Sequence, residues 1–109
     1  MQAFELADLL QQQAAAKGSY LEFIREPSLS CGLYILPAGG IDPQQPHTED
    51  ELYYIISGHA QITVGDEVRA VQPGSVIYVA AHVEHRFHDI REDLQILVFF
   101  APLKGSKES

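Results

Sequence analysis

The chain holds a single cysteine, Cys31, and no tryptophan. One thiol makes no internal disulfide, so no disulfide framework is expected to hold the fold. Basic residues are scarce: seven lysines and arginines stand against fifteen aspartates and glutamates, a formal net charge of −8. An acidic surface repels phosphate backbones and anionic lipids, which argues against nucleic acid or a membrane surface as partner. Long apolar runs are missing too, and a bilayer span needs about 20 such residues. The N-terminal stretch from Met1 to Asp8 has neither the basic start nor the apolar block of a secretory leader. Together these absences lead to the expectation of a cytoplasmic protein.

What is present suffices for one folded domain. The chain has 109 residues, of which 46% are hydrophobic, an ordinary fraction for a globular protein. A core of that size is modest, and oligomerisation is a natural supplement. Residues 5–17 read as a short helix, with Leu6, Leu9, Leu10 and Gln13 at helical spacing. Gly18 suits the left-handed residue that ends a helix, and the absence of a good cap before Glu5 predicts a frayed start. From Tyr20 onward the pattern turns to short strands broken by turns: 20–24, 32–36, 52–56, 60–64, 67–71, 75–79, 86–90 and 94–100. Gly65-Asp66 is a two-residue hairpin signal, and Pro73-Gly74 marks another turn. Eight such strands predict an antiparallel sandwich or barrel over residues 19–103, between a helical segment over 1–18 and a polar tail over 104–109.

Two strands are apolar on both faces. In 94–100, Leu94, Ile96, Val98 and Phe100 form one face and Leu97 and Phe99 the other; Val76 to Val79 are doubled in the same way. A half-buried strand would alternate with polar residues. Something must therefore cover an outer sheet face. The helix is one candidate, and a second copy of the chain is the better one for the rest, so a homodimer is expected.

The chemistry is concentrated in two short segments. Gln45, His47, Glu49, Glu51 and Tyr53 share parity, so an extended chain turns them to one side. His85 arrives from a distant strand, and a barrel brings such strands together across its interior. Two imidazoles and a carboxylate make the protein ligand set of an open metal site, and His47, Glu51 and His85 are the candidate ligands. Gln45 adds a carbonyl oxygen as a weaker ligand. Glu49 is a candidate general base, or a substitute for Glu51 at the metal. Zinc, iron, manganese or nickel, one divalent ion per chain, would suit this set. His82 is a candidate for the cavity mouth. His59 and His88 read as structural, Cys31 as a small buried hydrophobe, and Arg86 as half of a salt bridge. Tyr34, Tyr53 and Tyr78 read as core or wall residues, and Leu36, Ile55 and Phe87 as barrel lining.

These segments resemble the two sequence motifs of the cupin superfamily. The first family motif runs Gly, five residues, His, one residue, His, three or four residues, Glu, six residues, Gly. It falls here on Gly39, Gln45, His47, Glu51 and Gly58, with Gln45 in place of the first metal histidine. The second runs Gly, five residues, Pro, one residue, Gly, two residues, His, three residues, Asn. It falls on Gly74, Ala80, His82, His85 and Asp89, so His85 takes the metal histidine's place while Ala80, His82 and Asp89 depart from the pattern. The resemblance covers roughly residues 30–101. It implies an all-β, double-stranded β-helix (jelly-roll) barrel of the small single-domain kind, with a short N-terminal helix, often dimeric and often metal-binding. The function it leads to expect is a small cupin that acts on or binds a small organic molecule at that centre, as a metal-dependent dioxygenase or isomerase if it is an enzyme. The alternatives are a non-catalytic ligand-binding cupin and a metal-free structural one.

Overall fold

The computed structural model describes residues 1–16, 18–43 and 46–105. Lys17, Gln45 and residues 106–109 of the expected tail lie outside the described residues. Among the described residues one helix, α1 (Leu6–Ala15), precedes eight strands: β1 (Tyr20–Glu26), β2 (Leu29–Leu36), β3 (Asp50–Ser57), β4 (Ala60–Val64), β5 (Glu67–Val71), β6 (Val76–Val79), β7 (His85–His88) and β8 (Leu94–Ala101). The strands form two antiparallel sheets, β1-β2-β8-β3-β6 and β5-β4-β7. Their facing sides supply one apolar core that includes Tyr53, Ile55, Ile62, Phe87 and Ile96. This is the expected all-β jelly roll.

Alternation decides which side chains face that core. In β3, Glu51, Tyr53 and Ile55 are buried while Asp50, Leu52 and Tyr54 are exposed. In β8, Leu94, Ile96, Val98 and Phe100 are buried and the residues between them only half-buried. The Gly65-Asp66 turn joins β4 to β5, with Val64 opposite Glu67, as the turn chemistry predicts. β7 is shorter than expected and shifted: it starts at His85 and stops at His88, because Asp89 has φ +50 and leaves the extended region. Gly58 ends β3 with φ +99, and a Cβ there would stand 2.4 Å from the Asp93 carbonyl oxygen. Only glycine fits that corner.

The helix is two residues shorter at its C-terminus than the pattern predicted. It has no side-chain cap at Glu5 and closes at Ala16, whose extended backbone leads the chain away, so Gly18 is not left-handed. Gly18 instead accepts a hydrogen bond from the buried Gln13 amide at 3.1 Å. The helix lies against β2, a strand in which Cys31 and Leu33 are buried. Burial pushes the Cys31 thiol up to about 12, in keeping with an inert hydrophobe. The rest of that outer face is open: Leu52, Tyr54, Val76 and Tyr78 are all exposed. Tyr78, expected in the core or wall, is on the outside. Among the described residues no helix is long and apolar enough to cross a membrane.

Candidate metal centre

Glu51 occupies a core position of a strand whose other inward residues are Tyr53 and Ile55. A carboxylate taken out of water there is costly unless a cation or a hydrogen-bond set compensates it. Its neighbours supply part of that set. The Tyr53 hydroxyl bonds the Glu51 carboxylate; burial and then that charge drive the tyrosine's own pKa far upward, so the phenol keeps its proton. Across the barrel His85, at the start of β7 and buried, turns Nε2 toward Glu51 Oε1 at 2.9 Å. The two atoms are close enough for an ion pair but not aligned as a hydrogen bond. Both are buried without a hydrogen-bond partner among the described residues.

Backbone contacts hold the ring of His85 and the loop that carries His47. His85 Nδ1 donates to the Val83 carbonyl at 2.8 Å. With that nitrogen protonated, the neutral ring presents its lone pair at Nε2, toward Glu51. His47 lies in the loop before β3, with its ring edge-on to Phe100 at 5.0 Å and 5.9 Å from the His85 ring. The N–H of His82 holds the His47 carbonyl at 2.7 Å, and the N–H of Ala81 donates to Asp50 Oδ1 at 3.0 Å. One turn, 80–83, therefore ties down the loop of His47 and the ring of His85. His82 has φ +69 and is exposed: it serves through its backbone.

The result is a cluster in which one ligand atom from each of His47, Glu51 and His85 lies within 4.8 Å of the others. Two imidazole nitrogens and a carboxylate oxygen suit a divalent transition metal, and three protein ligands leave positions open. The unsatisfied buried pair, Glu51 Oε1 and His85 Nε2, is what such an ion would satisfy. Burial pulls the His85 imidazole down, but the Glu51 carboxylate and the Val83 carbonyl raise it more, so its net shift is upward. At His47 burial outweighs the pull of Glu51, and the ring is held below its ordinary value, hence neutral and able to ligate.

Glu49 is buried and accepts a hydrogen bond from the Thr48 hydroxyl. It stands outside the three-residue cluster. A cavity of about 240 Å³ opens beside the cluster, lined by His47 and Glu51 and by Tyr20, Tyr34, Asp42 and Lys104, with Val98 and Phe100 as apolar wall. His85 stands behind it and borders a second cleft with Pro46 and Thr63. Asp42, which the sequence did not single out, joins distant elements: Tyr34 donates to its Oδ1 at 2.6 Å and the Phe87 N–H to its Oδ2 at 2.9 Å. It thereby ties a cavity wall to the strand that carries His85. Its only signal in the chain was the Asp-Pro pair after Gly39-Gly40. Lys104, assigned to the polar tail, comes back over the cavity, its N–H donating to Ser30 Oγ at 3.1 Å. His59 pairs with Glu92, and His88 with Thr63 and Asp89. Arg86 is exposed and makes no ion pair among the described residues, contrary to expectation.

Comparison with known proteins finds relatives of the chain as a whole. The family model described as cupin domain matches residues 32–100. An uncharacterised protein of Streptomyces coelicolor is 53% identical over 102 residues, covering 94% of this chain and 97% of that protein. Among solved structures, the cupin domain of Schizosaccharomyces pombe Cnp3 superposes with a TM-score of 0.70 at 20% identity, over 76% of this chain and 59% of that one. An RmlC-like cupin with a double-stranded β-helix fold from Methanocaldococcus jannaschii superposes with a TM-score of 0.70 at 21% identity, over 77% and 79% of the two chains. At these identities the solved structures establish the fold alone.

Proposed function

Since the chain belongs to the cupin domain family, we propose that it binds one divalent transition metal through His47, Glu51 and His85 and takes a small organic molecule into the adjoining cavity. The observation that carries this reading is the buried pair Glu51 Oε1 and His85 Nε2, 2.9 Å apart and each without a hydrogen-bond partner among the described residues, with His47 completing the set. A bound metal of this kind supplies a Lewis acid with open positions for a substrate oxygen. The chain's own residues do the rest. Val83 and Tyr53 orient His85 and Glu51, Val98 and Phe100 exclude water, and the Tyr53 phenol holds its proton beside the carboxylate. Gln45 lies outside the described residues and stands in this reading only as the sequence's candidate for a weaker carbonyl ligand. Glu49 remains the proton-handling candidate beside His47. Zinc, iron, manganese and nickel all suit the donors. Iron would point to oxygen chemistry, while zinc, manganese or nickel would leave hydrolytic, isomerising and binding roles open.

The test is elemental analysis of untagged protein purified without chelator, beside a His47→Ala/His85→Ala double variant. About one equivalent of a transition metal, lost in the variant, supports the centre. No uptake after reconstitution removes it and leaves a metal-free cupin. The same reading includes a homodimer, closed over the open face of β3 and β6, and a reducing, cytoplasmic setting suited to one buried thiol.

A further inference from the structure

The cavity has a second pole away from the metal ligands. Tyr20 lines it, and its hydroxyl is buried without a hydrogen-bond partner among the described residues. A buried hydroxyl left that way is destabilising, so its persistence needs a reason. The chain makes room for it: β2 has glycine at Gly32, and a Cβ there would stand 2.2 Å from Tyr20 Cζ and 2.3 Å from its oxygen. Gly32 pairs with Val98, another cavity residue, so the vacated space is on the inner side of the sheet.

Lys104 stands over the same pole. Its backbone is tied to the fully buried Ser30, and its ammonium lies 4.9 Å from the Tyr20 ring centroid and 5.6 Å from that of Phe100. Among the described residues it makes no ion pair. Asp42, the nearby acid, has its two oxygens engaged by Tyr34 and Phe87. Ser30 pairs with Phe100, and Phe100 with Glu51. The anchor of Lys104 is thus two strands, about 10 Å, from the metal-binding carboxylate. The volume between, about 240 Å³, is below the roughly 300–1,000 Å³ that takes drug-sized ligands.

We propose, resting on the metal reading above, that the cavity selects a short organic acid: Lys104 Nζ and the Tyr20 hydroxyl hold its carboxylate, and an oxygen at its other end reaches the centre formed by His47, Glu51 and His85. The ammonium donates to the carboxylate, and the Tyr20 hydroxyl gains the acceptor it lacks. Lys104 and Tyr20 are specificity residues in this arrangement, with no part in holding the metal.

The experiment is a calorimetric titration of malonate, succinate and glutarate, and of their diamides, into wild type, Lys104→Gln, Lys104→Arg and Tyr20→Phe. Each protein is titrated both metal-free and zinc-loaded, with its zinc content measured and its fold checked by circular dichroism. At least one diacid should bind while its diamide does not. Lys104→Gln should weaken that diacid about tenfold or more, and Tyr20→Phe by a smaller factor. Lys104→Arg should restore most of the loss, and zinc content should stay unchanged throughout. A diacid that binds Lys104→Gln as tightly as wild type, with zinc at full occupancy, overturns the inference and leaves the metal centre standing. Equal binding of diacid and diamide, tighter binding of inorganic phosphate than of every diacid, or no diacid binding to either form also overturns it. Lys104-dependent binding in a protein that takes up no zinc supports the acid-binding pole and removes the metal centre.

Discussion

Tyr53 stands beside Glu51 as a positioning group, since its hydroxyl bonds the carboxylate from the next inward position of the same strand. Removing an outer partner of a metal ligand weakens binding by roughly 10–100-fold. Tyr53→Phe is therefore expected to lower zinc affinity within that range, read by competition with a chromophoric chelator. Unchanged affinity would show that Glu51 is held by other contacts. The histidines set the pH dependence. Because the folded pKa of His85 is raised above 6.5, its protonation in the metal-free protein stabilises the fold fully below 6.5, and that contribution disappears as pH rises through the folded value. His47 has the opposite sign: its lowered pKa means that acid destabilises the fold through it. Metal binding needs the His85 proton removed. Zinc occupancy should therefore fall with decreasing pH, beginning above the ordinary imidazole range, as measured by equilibrium dialysis across a pH series.

At the level of elements, two glycines act in different ways. Gly58 closes β3 at φ +99 with a backbone oxygen where a Cβ would stand. Gly58→Ala should destabilise the fold by at least about 1–3 kcal/mol, the scale of one strained backbone position, as measured by urea unfolding. At Gly32 the obstacle is the far end of a tyrosine side chain, which can swing away. Gly32→Ala should therefore leave the fold largely intact and displace Tyr20 from the cavity, weakening diacid binding in the same direction as Tyr20→Phe. The hairpin of β4 and β5 was legible in the chain because Gly65-Asp66 specifies its own turn locally. The end of β7 was not, since it depends on the left-handed backbone of Asp89 rather than on any break in the apolar pattern of 86–90.

For the whole molecule, the main open feature is the outer face of β3 and β6. Leu52 pairs with Tyr78 and Tyr54 with Val76, which makes one contiguous exposed apolar patch, separated by β8 from the strand that α1 lies against. A patch of that kind is characteristic of a protein–protein interface. Light scattering on wild type at micromolar concentration should give the mass of a dimer. Tyr54→Glu/Tyr78→Glu should give a folded monomer, because exposed positions tolerate the charge once the partner has gone. A wild-type monomer at that concentration would rule out this face as a self-association surface.

The one-dimensional pattern by itself indicated eight strands, the inward face of β3 and β8, and His47, Glu51 and His85 as candidate metal ligands. Alternation assigns Glu51 to the side of Tyr53 and Ile55, and residue chemistry makes His47, Glu51 and His85 the natural ligands, as the motif spacing also implied. Which groups share a cavity was decided only by the tertiary structure. Tyr20, Asp42 and Lys104 come from β1, a loop and the C-terminal turn, at separations that follow no period. Their meeting depends on the pairing of β1 with β2, on the empty position at Gly32, and on a hydrogen bond that returns Lys104 to Ser30. A local pattern records which way a side chain points along its own strand. It does not record which other strand closes over it, because that is settled by the packing of both sheets at once.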